Sequence, residues 1–132
     1  MTASPMQIVR AYDILGNHGF DAEGKRIVPQ EFADAIRSEL QRVASDKGPA
    51  RRAAVEDVKV WGKTGTTQQI VDGKWKDAYD ATFVGGFELD SDRYTVIVVY
   101  SGAKRFSHQG GIRPATVFRE ICLSLKGSPY DA

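Results

Sequence analysis

The stretch VWGKTGTTQ, residues 60–68, combines one lysine, two glycines and three threonines after two residues that favour β-strands. Two kinds of site contain such a segment. Gly-Lys-Thr ends the phosphate-binding loop of nucleotide sites, whereas Lys-Thr-Gly lines sites in which an acyl group is transferred to a serine. The residues on either side of the segment distinguish the two interpretations.

The nucleotide interpretation conflicts with the residues before and after the motif. A phosphate-binding loop has the pattern G-x-x-x-x-G-K-[ST], and its first glycine would fall at position 57. That residue is Asp57, a carboxylate at the point where phosphate would approach. The following residues, TTQQIVDGK (66–74), are a poor helix start, so no helix N-terminus would face the anion. The sequence therefore excludes a phosphate-binding loop.

The acyl-transfer interpretation agrees with the geometry of a β-strand. Alternate residues of a strand point to the same side, so we expect Lys63 and Gly65 on one face and Thr64 and Thr66 on the other. Glycine lets a ligand lie close to the strand, and the ammonium and hydroxyl groups can hold a carboxylate. A backbone N–H here can form half of an oxyanion hole.

Composition limits the other function classes. The chain has 132 residues, 42% apolar and 27% charged, with a formal net charge of +1, which is the profile of one globular domain. The interspersed charges predict neither nucleic-acid nor anionic-membrane binding. No run of about 18 apolar residues is present, and the N-terminus lacks the pattern of a signal peptide. His18 and His108 lie far apart and no metal-ligand spacing occurs, so we expect no metal and no cofactor.

The periodicity of apolar residues predicts helices first and strands afterwards. A helix over 4–16 begins with Ser4 as N-cap, Pro5 at the first position and Gln7 completing a capping box. We assign His18 to the end of this helix and Cys122 to the core. The remaining predicted elements are a helix over 29–45 with Phe32, Ile36, Leu40 and Val43 on one face, a charged loop over 68–80, strands over 81–89 and 93–100 joined by residues 90–92, and an amphipathic helix over 114–125.

Two details of the predicted strands bear on the sheet. Residues 93–100, RYTVIVVY, are almost continuously apolar, which predicts a strand buried on both faces in the middle of the sheet. Gly85-Gly86 interrupts the preceding strand and predicts either a bulge or a close approach of two backbones.

Five blocks in this order resemble the C-terminal half of the transpeptidase domain of penicillin-binding proteins, most closely the class B enzymes of septal or elongation peptidoglycan synthesis. MTASPMQIVRAYDILGNHG (1–19) is similar to the family's T-P-L-Q helix, and KGPARRAAV (47–55) lies where the family has a G-T-A segment. WGKTGTTQ (61–68) resembles A-G-K-T-G-T-A-Q, DATFVGGFELDSDRYTVIVVY (80–100) resembles the next strand pair, and GGIRPATVFREI (110–121) resembles the family's ending.

The resemblance implies an α+β fold, with an antiparallel sheet of about three strands packed against helices and the C-terminal helix on the sheet. It implies a single partial domain over 1–132, helical over 1–55 and carrying the K-T-G-T strand, the hairpin and the last helix over 56–132. It places the protein outside the cytoplasmic membrane.

The resemblance also assigns roles to residues of the motif. Lys63 corresponds to the lysine that supplies positive charge beside the catalytic serine, and Thr66 to the second oxyanion donor. The substrate-binding residues become Thr64, Gly65, Thr66 and Thr67. Of these, Thr64 and Thr66 would hold the carboxylate of a peptidoglycan stem peptide ending in D-Ala-D-Ala, or of a β-lactam. Proteins of cell-wall synthesis are the implied partners, and nucleic acid is not.

The chain departs from the family pattern in a way that limits its activity. The family's S-x-x-K nucleophile and S-x-N relay both precede K-T-G, whereas this sequence has no S-x-N and one S-x-x-K, Ser101–Lys104, which follows Lys63 in a predicted loop. We therefore expect almost no turnover from the chain alone. A peptide- or partner-binding module without catalysis, and a fragment of a β-lactamase or β-lactam sensor, remain alternatives. In the family, strand 93–100 pairs with the domain's first strand; unpaired here, its edge would associate with a second copy.

Overall fold

The structure of the chain, a computed structural model, describes residues 3–103 and 109–127, and it leaves the side chains of 103 and 109–112 undescribed. The described residues have the predicted α+β architecture, with three α-helices and one antiparallel sheet of three strands. Their elements in chain order are α1 (Pro5–Gly16), α2 (Gln30–Val43), a 3₁₀ turn (Arg51–Ala53), β1 (Val60–Val71), β2 (Lys74–Leu89), β3 (Asp92–Ala103) and α3 (Gln109–Lys126).

Helix α1 begins with the predicted capping box. The backbone N–H of Gln7 donates to the Ser4 hydroxyl, and the Ser4 N–H donates to the Gln7 side chain at 2.8 Å. These bonds satisfy donors that the first helical turn would otherwise leave unpaired. The helix ends at Asn17, and His18 and Gly19 both take positive φ angles, so His18 lies at the helix end as predicted.

The sheet has the order β1-β2-β3, with β2 in the centre. Gly62 pairs with Gly85 and Trp61 with Gly86 in an unbroken register, which decides between the two explanations of Gly85-Gly86. A Cβ atom at Gly85 would overlap the carbonyl oxygen of Trp61, so the glycines permit close strand packing and not a bulge.

The prediction of a loop over residues 68–80 is wrong. β1 continues to Val71 and β2 already starts at Lys74, so the two strands form a long hairpin closed by Asp72-Gly73. Both turn residues have positive φ, 52° and 73°, the conformation that two-residue hairpin turns require and that Asp-Gly adopts readily. Trp75 remains exposed on this hairpin.

Helix α3 covers one face of the sheet. Phe118 of α3 packs against Phe83 and Phe87 of β2, with ring centroids 4.5 and 5.6 Å apart, and all three rings are fully buried. Cys122 lies fully buried in the same core, and burial raises the pKa of its thiol. The thiol is therefore a core residue, as its position on the apolar stripe predicts.

Helix α1 covers part of the opposite face. Tyr12 stacks on Trp61 of β1 with ring centroids 6.4 Å apart. Asp13 accepts a hydrogen bond from the Thr95 hydroxyl at 2.7 Å and pairs with Arg93 at 3.3 Å, which joins the helix to β3. The sheet therefore lies between α1 and α3.

One expectation about burial is wrong. β3 is an edge strand among the described residues, not a central one, and Val99 and Tyr100 expose 42% and 38% of their surface. The apolar face of α2 is open in its first half, since Phe32 is 59% exposed and Ile36 45%, whereas Val43 packs against the core. Continuous apolar sequence indicates a surface that has to be covered, and here the described residues cover only part of it. None of the described helices has the length and apolarity needed to cross a membrane.

Candidate functional site

The K-T-G-T segment lies on the outer edge of the sheet. Residues 63–67 belong to β1, which pairs with β2 on one side and with no other strand in the described part of the chain. An unpaired strand edge presents alternate backbone N–H and C=O groups to solvent. The segment is therefore accessible to a ligand in both its backbone and its side chains.

The register distributes the side chains over both faces, as strand alternation predicts. Thr64 pairs with Phe83, the residue that packs on α3, so Thr64 and Thr66 share the α3 face. Lys63 pairs with Val84, which places Lys63 and Gly65 on the opposite face, together with Thr67. An extended ligand at the edge would meet the hydroxyl groups of Thr64 and Thr66 on one side, and Lys63 with the Thr67 hydroxyl on the other.

The polar groups of the segment have no partners within the described structure. Lys63, Thr66 and Thr67 are exposed and Thr64 is half-buried. Their side chains make no hydrogen bond or ion pair with any residue of 3–103 or 109–127. One ammonium group and three hydroxyl groups within five residues therefore stay available for an external ligand.

Gly65 of the segment and Gly62, which precedes it, have different structural roles. A Cβ atom at Gly62 would meet the Phe83 ring at 2.6 Å, so this glycine is required by the core. A Cβ atom at Gly65 would meet only the Thr82 hydroxyl, at 2.9 Å, and Gly65 is exposed. Thr82 donates from that hydroxyl to the Gly65 carbonyl at 3.3 Å. Gly65 therefore leaves uncovered the face of β1 that Lys63 shares, and its absent side chain avoids the Thr82 hydroxyl.

A polar cluster beyond the motif connects all three strands. The Asp80 carboxylate of β2 accepts hydrogen bonds from Gln69 of β1 at 2.8 Å and from Ser101 of β3 at 2.7 Å. These two bonds, with a further bond from the Gly102 backbone, lower the pKa of Asp80. The sequence prediction missed the cluster because it placed residues 68–80 in a loop, where no cross-strand pairing is expected.

The same cluster corrects the prediction for the one S-x-x-K sequence. Ser101 lies inside β3 and not in a loop after the strand, and its hydroxyl donates to Asp80. Lys104 lies outside the described residues. Ser101 therefore belongs to the sheet, and the observed contact gives it a structural role.

Other candidate sites have structural explanations. The imidazole Nδ1 of His18 lies 2.9 Å from Asp34, and this bond is the main reason that the pKa of Asp34 is lowered. Within the described ranges no three His, Cys, Asp or Glu side chains are grouped to hold a metal. Residues 64–71 continue as strand, so no helix starts after Gly-Lys-Thr, in agreement with the exclusion of a phosphate-binding loop.

Three comparisons with known proteins add to the geometry. Residues 1–123 match the family model of the penicillin binding protein transpeptidase domain. The chain is 28% identical, over 89% of its length, to the probable peptidoglycan D,D-transpeptidase PenA of Neisseria flavescens, and 24% identical, over 92%, to the peptidoglycan D,D-transpeptidase FtsI of Escherichia coli. It superimposes on the apo transpeptidase domain of Burkholderia pseudomallei penicillin-binding protein 3 with a TM-score of 0.76 and 27% identity, covering 96% of this chain and 44% of that one. It spans 32% of the PenA sequence and 23% of the FtsI sequence.

Proposed function

Because the chain belongs to the family of penicillin-binding protein transpeptidase domains and corresponds to part of such a domain, we propose that it forms one wall of a peptidoglycan D,D-transpeptidase site. The observation that supports this proposal is the open edge of β1. Over residues 63–67 the edge carries one ammonium and three hydroxyl groups that are unpaired within the described structure. A ligand with an extended backbone and a terminal carboxylate fits such an edge.

In this proposal the ligand is a stem peptide ending in D-Ala-D-Ala, or a β-lactam in its place. The backbone of the peptide pairs with the outer edge of β1, and Gly65 carries no side chain that could contact the ligand from the face of Lys63. Thr64 and Thr66 donate hydroxyl hydrogen bonds to the terminal carboxylate, while Lys63 and Thr67 contact the ligand from the other face of the strand, where Lys63 adds positive potential. The backbone N–H of Thr66 is one donor to the oxyanion of the reacting carbonyl.

Acyl transfer also requires a nucleophile, which these 132 residues do not supply in the expected pattern. The sequence holds no S-x-N, and its one S-x-x-K serine, Ser101, donates to Asp80 within β3. A site of this class without its serine keeps binding and polarisation but loses covalent catalysis. We therefore propose that the isolated chain binds D-Ala-D-Ala peptides weakly and is not acylated.

Covalent labelling tests the second half of this proposal. We expect the chain to remain unlabelled by a fluorescent penicillin that labels a complete penicillin-binding protein in the same experiment. The variant Ser101→Ala should behave like the unchanged chain. A label that survives denaturation and disappears in Ser101→Ala would show that the chain has its own nucleophile and would refute the proposal.

Peptide titration followed by amide NMR tests the first half. A peptide ending in D-Ala-D-Ala should shift the amide signals of residues 63–67, and one ending in L-Ala-L-Ala should not. Lys63→Ala should weaken binding by about fivefold to tenfold, roughly 1 kcal/mol. Lys74→Ala removes an equally exposed lysine at the start of β2 and serves as control. Equal shifts with both peptides would contradict the proposed wall.

Two other functions would use the same wall. If the chain is instead a peptide- or partner-binding module without acyl transfer, then even a form of the protein that is longer than these residues should not react with penicillin. A β-lactamase or β-lactam sensor is disfavoured, because the matched family model and the relatives named above are transpeptidases. Rapid turnover of a chromogenic cephalosporin by a longer form would support the lactamase instead.

A transpeptidase site of this kind has an expected cellular location and expected protein partners. Peptidoglycan stem peptides are cross-linked outside the cytoplasmic membrane, so we place the working site there. Proteins of cell-wall synthesis and division are the partners that we expect. Fusion to a fluorescent reporter that matures outside the membrane, in the source bacterium, would test the location.

A further inference from the structure

Trp61 lies where the buried start of β1 meets the open edge of the strand. Only 3% of its surface is exposed. It precedes Lys63 by two residues, so the two side chains share the face of β1 on which α1 packs. Lys63, Gly65 and Thr67, the next residues of this face, are all exposed. Trp61 is therefore the last anchored side chain on this face before the candidate site.

The indole ring of Trp61 fills a space that two glycines leave open. A Cβ atom at Gly86, its cross-strand partner on β2, would lie 2.7 Å from Cζ2 of the ring. A Cβ atom at Gly16, the last residue of α1, would lie 2.9 Å from the same ring atom. Tyr12 of α1 stacks on the ring with an angle of 9° between the two planes. The ring is therefore held tightly between β2 and α1.

Helix α1 is also attached to the far side of the sheet. Gly86 pairs with Thr95 of β3, so Trp61, Gly86 and Thr95 form one row across the three strands. Asp13 accepts a hydrogen bond from the Thr95 hydroxyl at 2.7 Å, and the adjacent Tyr12 contacts Trp61. The helix therefore contacts both ends of this row. Through it β1, whose backbone pairs only with β2 in the described part of the chain, gains a second attachment.

We propose that Trp61 is a positioning residue for the open edge of β1. Its ring fixes the direction in which the strand leaves the core, and thereby holds residues 63–67 in the orientation that binds the ligand. This inference rests on the proposed function, because it concerns the same edge. Trp61 is buried, so it acts on the ligand through Lys63 and the backbone of β1. An edge that is already rigid loses less conformational freedom when an extended peptide pairs with it, and the affinity rises accordingly.

Two substitutions of the ring test this role by titration with a peptide ending in D-Ala-D-Ala. Trp61→Ala should weaken binding by about threefold to tenfold, because the edge is no longer ordered before the peptide arrives. Trp61→Phe keeps an aromatic ring against Tyr12 and should retain most of the affinity. Leu89→Ala is the matched control, since Leu89 is likewise buried but lies on β2 beyond its pairing with β1. This control should lose stability and keep its affinity.

Gly16→Ala provides a sharper test, because Gly16 contacts the ring but lies on α1, outside the proposed ligand site. The added methyl group has to displace the indole of Trp61, so we expect binding to weaken by about threefold. In Trp61→Phe the ring atom that the methyl group would meet is missing, and the same substitution should leave the affinity unchanged. A tryptophan that only stabilised the core would show no such coupling in the binding measurement.

Backbone order parameters from amide NMR provide a readout that does not require a peptide. In the free chain, Trp61→Ala should lower the order parameters of residues 63–67, whereas Leu89→Ala should not. Where Trp61→Ala does not fold, Gly16→Ala gives the same readout through the displaced ring. If the unchanged chain bound no peptide at 63–67, the proposed function would fail, and these order parameters would still decide whether Trp61 fixes the edge.

Three results would overturn the positioning role of Trp61. The first is unchanged order parameters at residues 63–67 in the variants that remove or displace the ring. The second is an equal effect of Gly16→Ala on peptide affinity with Trp61 and with Trp61→Phe. The third is an equal loss of affinity in Leu89→Ala, because lowered stability alone would then explain the loss.

Discussion

The two edges of the sheet differ in chemistry although both strands pair with the same central strand. Residues 63–67 of β1 present a lysine, a glycine and three threonines, whereas residues 94–100 of β3 present an uninterrupted apolar segment. Both edges leave backbone groups open within the described residues. A polar edge can stay in water and bind a small ligand reversibly, whereas an apolar edge is stable only when it is covered. The comparison therefore supports the proposal of ligand binding at β1, whereas β3 is the edge that another strand would cover.

The largest effect is expected from the strand that both edges share. Phe83 of β2 is fully buried, packs on Phe118 and lies between Thr64 and Val98 in the sheet. Phe83→Ala should lower the free energy of unfolding by about 3–5 kcal/mol, because it removes a ring and leaves a cavity. Urea denaturation measures the loss.

A matched control for this change lies on the same strand. Trp75 is also aromatic but 67% exposed, so Trp75→Ala should change the unfolding free energy by less than about 0.5 kcal/mol. If the two variants lost equal stability, the hydrophobic core would not be centred on β2. The two edge strands would then not share a common buried support.

A smaller effect is expected where helix α1 joins β3. Asp13 accepts hydrogen bonds from Thr95 and Arg93, so Asp13→Ala leaves two donors without their partner. We expect a loss of about 1–2 kcal/mol in unfolding free energy. Asp46→Ala, in the exposed loop after α2, should have almost no effect. An equal response of both variants would show that α1 does not stabilise β3.

The K-T-G-T strand and the start of α1 could be predicted from the sequence, because both depend on local rules. Ser4, Pro5 and Gln7 act on neighbouring backbone groups, and the alternation of Lys63 and Thr64 follows from strand geometry alone. The K-T-G-T motif also fixed which edge carries the candidate site, although the role of each of its residues stays a prediction.

Features that depend on pairing were harder to predict. Asp72-Gly73 is a strong hairpin signal, but the charged residues around it favoured a loop. The apolar run of β3 indicates burial, yet burial depends on which strand lies next to it, and that information is not local. For the same reason the contacts of Asp80 with Gln69 and Ser101 could not be anticipated.

The pH dependence of stability tests the cluster that links the two edges. The bonds from Gln69 and Ser101 lower the pKa of Asp80. At a pH between the folded and the unfolded pKa of this carboxyl, the folded chain therefore binds fewer protons than the unfolded chain. The stabilisation is complete above the unfolded pKa, about 3.9, and is lost as the pH falls through the folded value. Asp80→Asn should therefore be less stable than the unchanged chain at neutral pH, and this difference should shrink below about pH 4.

The control for this experiment is Asp46→Asn, which should keep the acid dependence of the unchanged chain. A difference between Asp80→Asn and the unchanged chain that stays constant from neutral to acidic pH would show that the carboxylate form of Asp80 is not what holds the three strands together.

The smallest effect on stability is expected at Lys63, which we assign to ligand binding. Lys63 is exposed and has no partner among the described residues, so Lys63→Ala should change the unfolding free energy by less than about 0.5 kcal/mol while weakening the binding of D-Ala-D-Ala peptides. Val99→Lys, on the other edge of the sheet and also exposed, should leave peptide binding unchanged. If Lys63→Ala instead destabilised the fold, the lysine would have a structural role in the sheet, and its exposed position on β1 would not support a role in ligand binding.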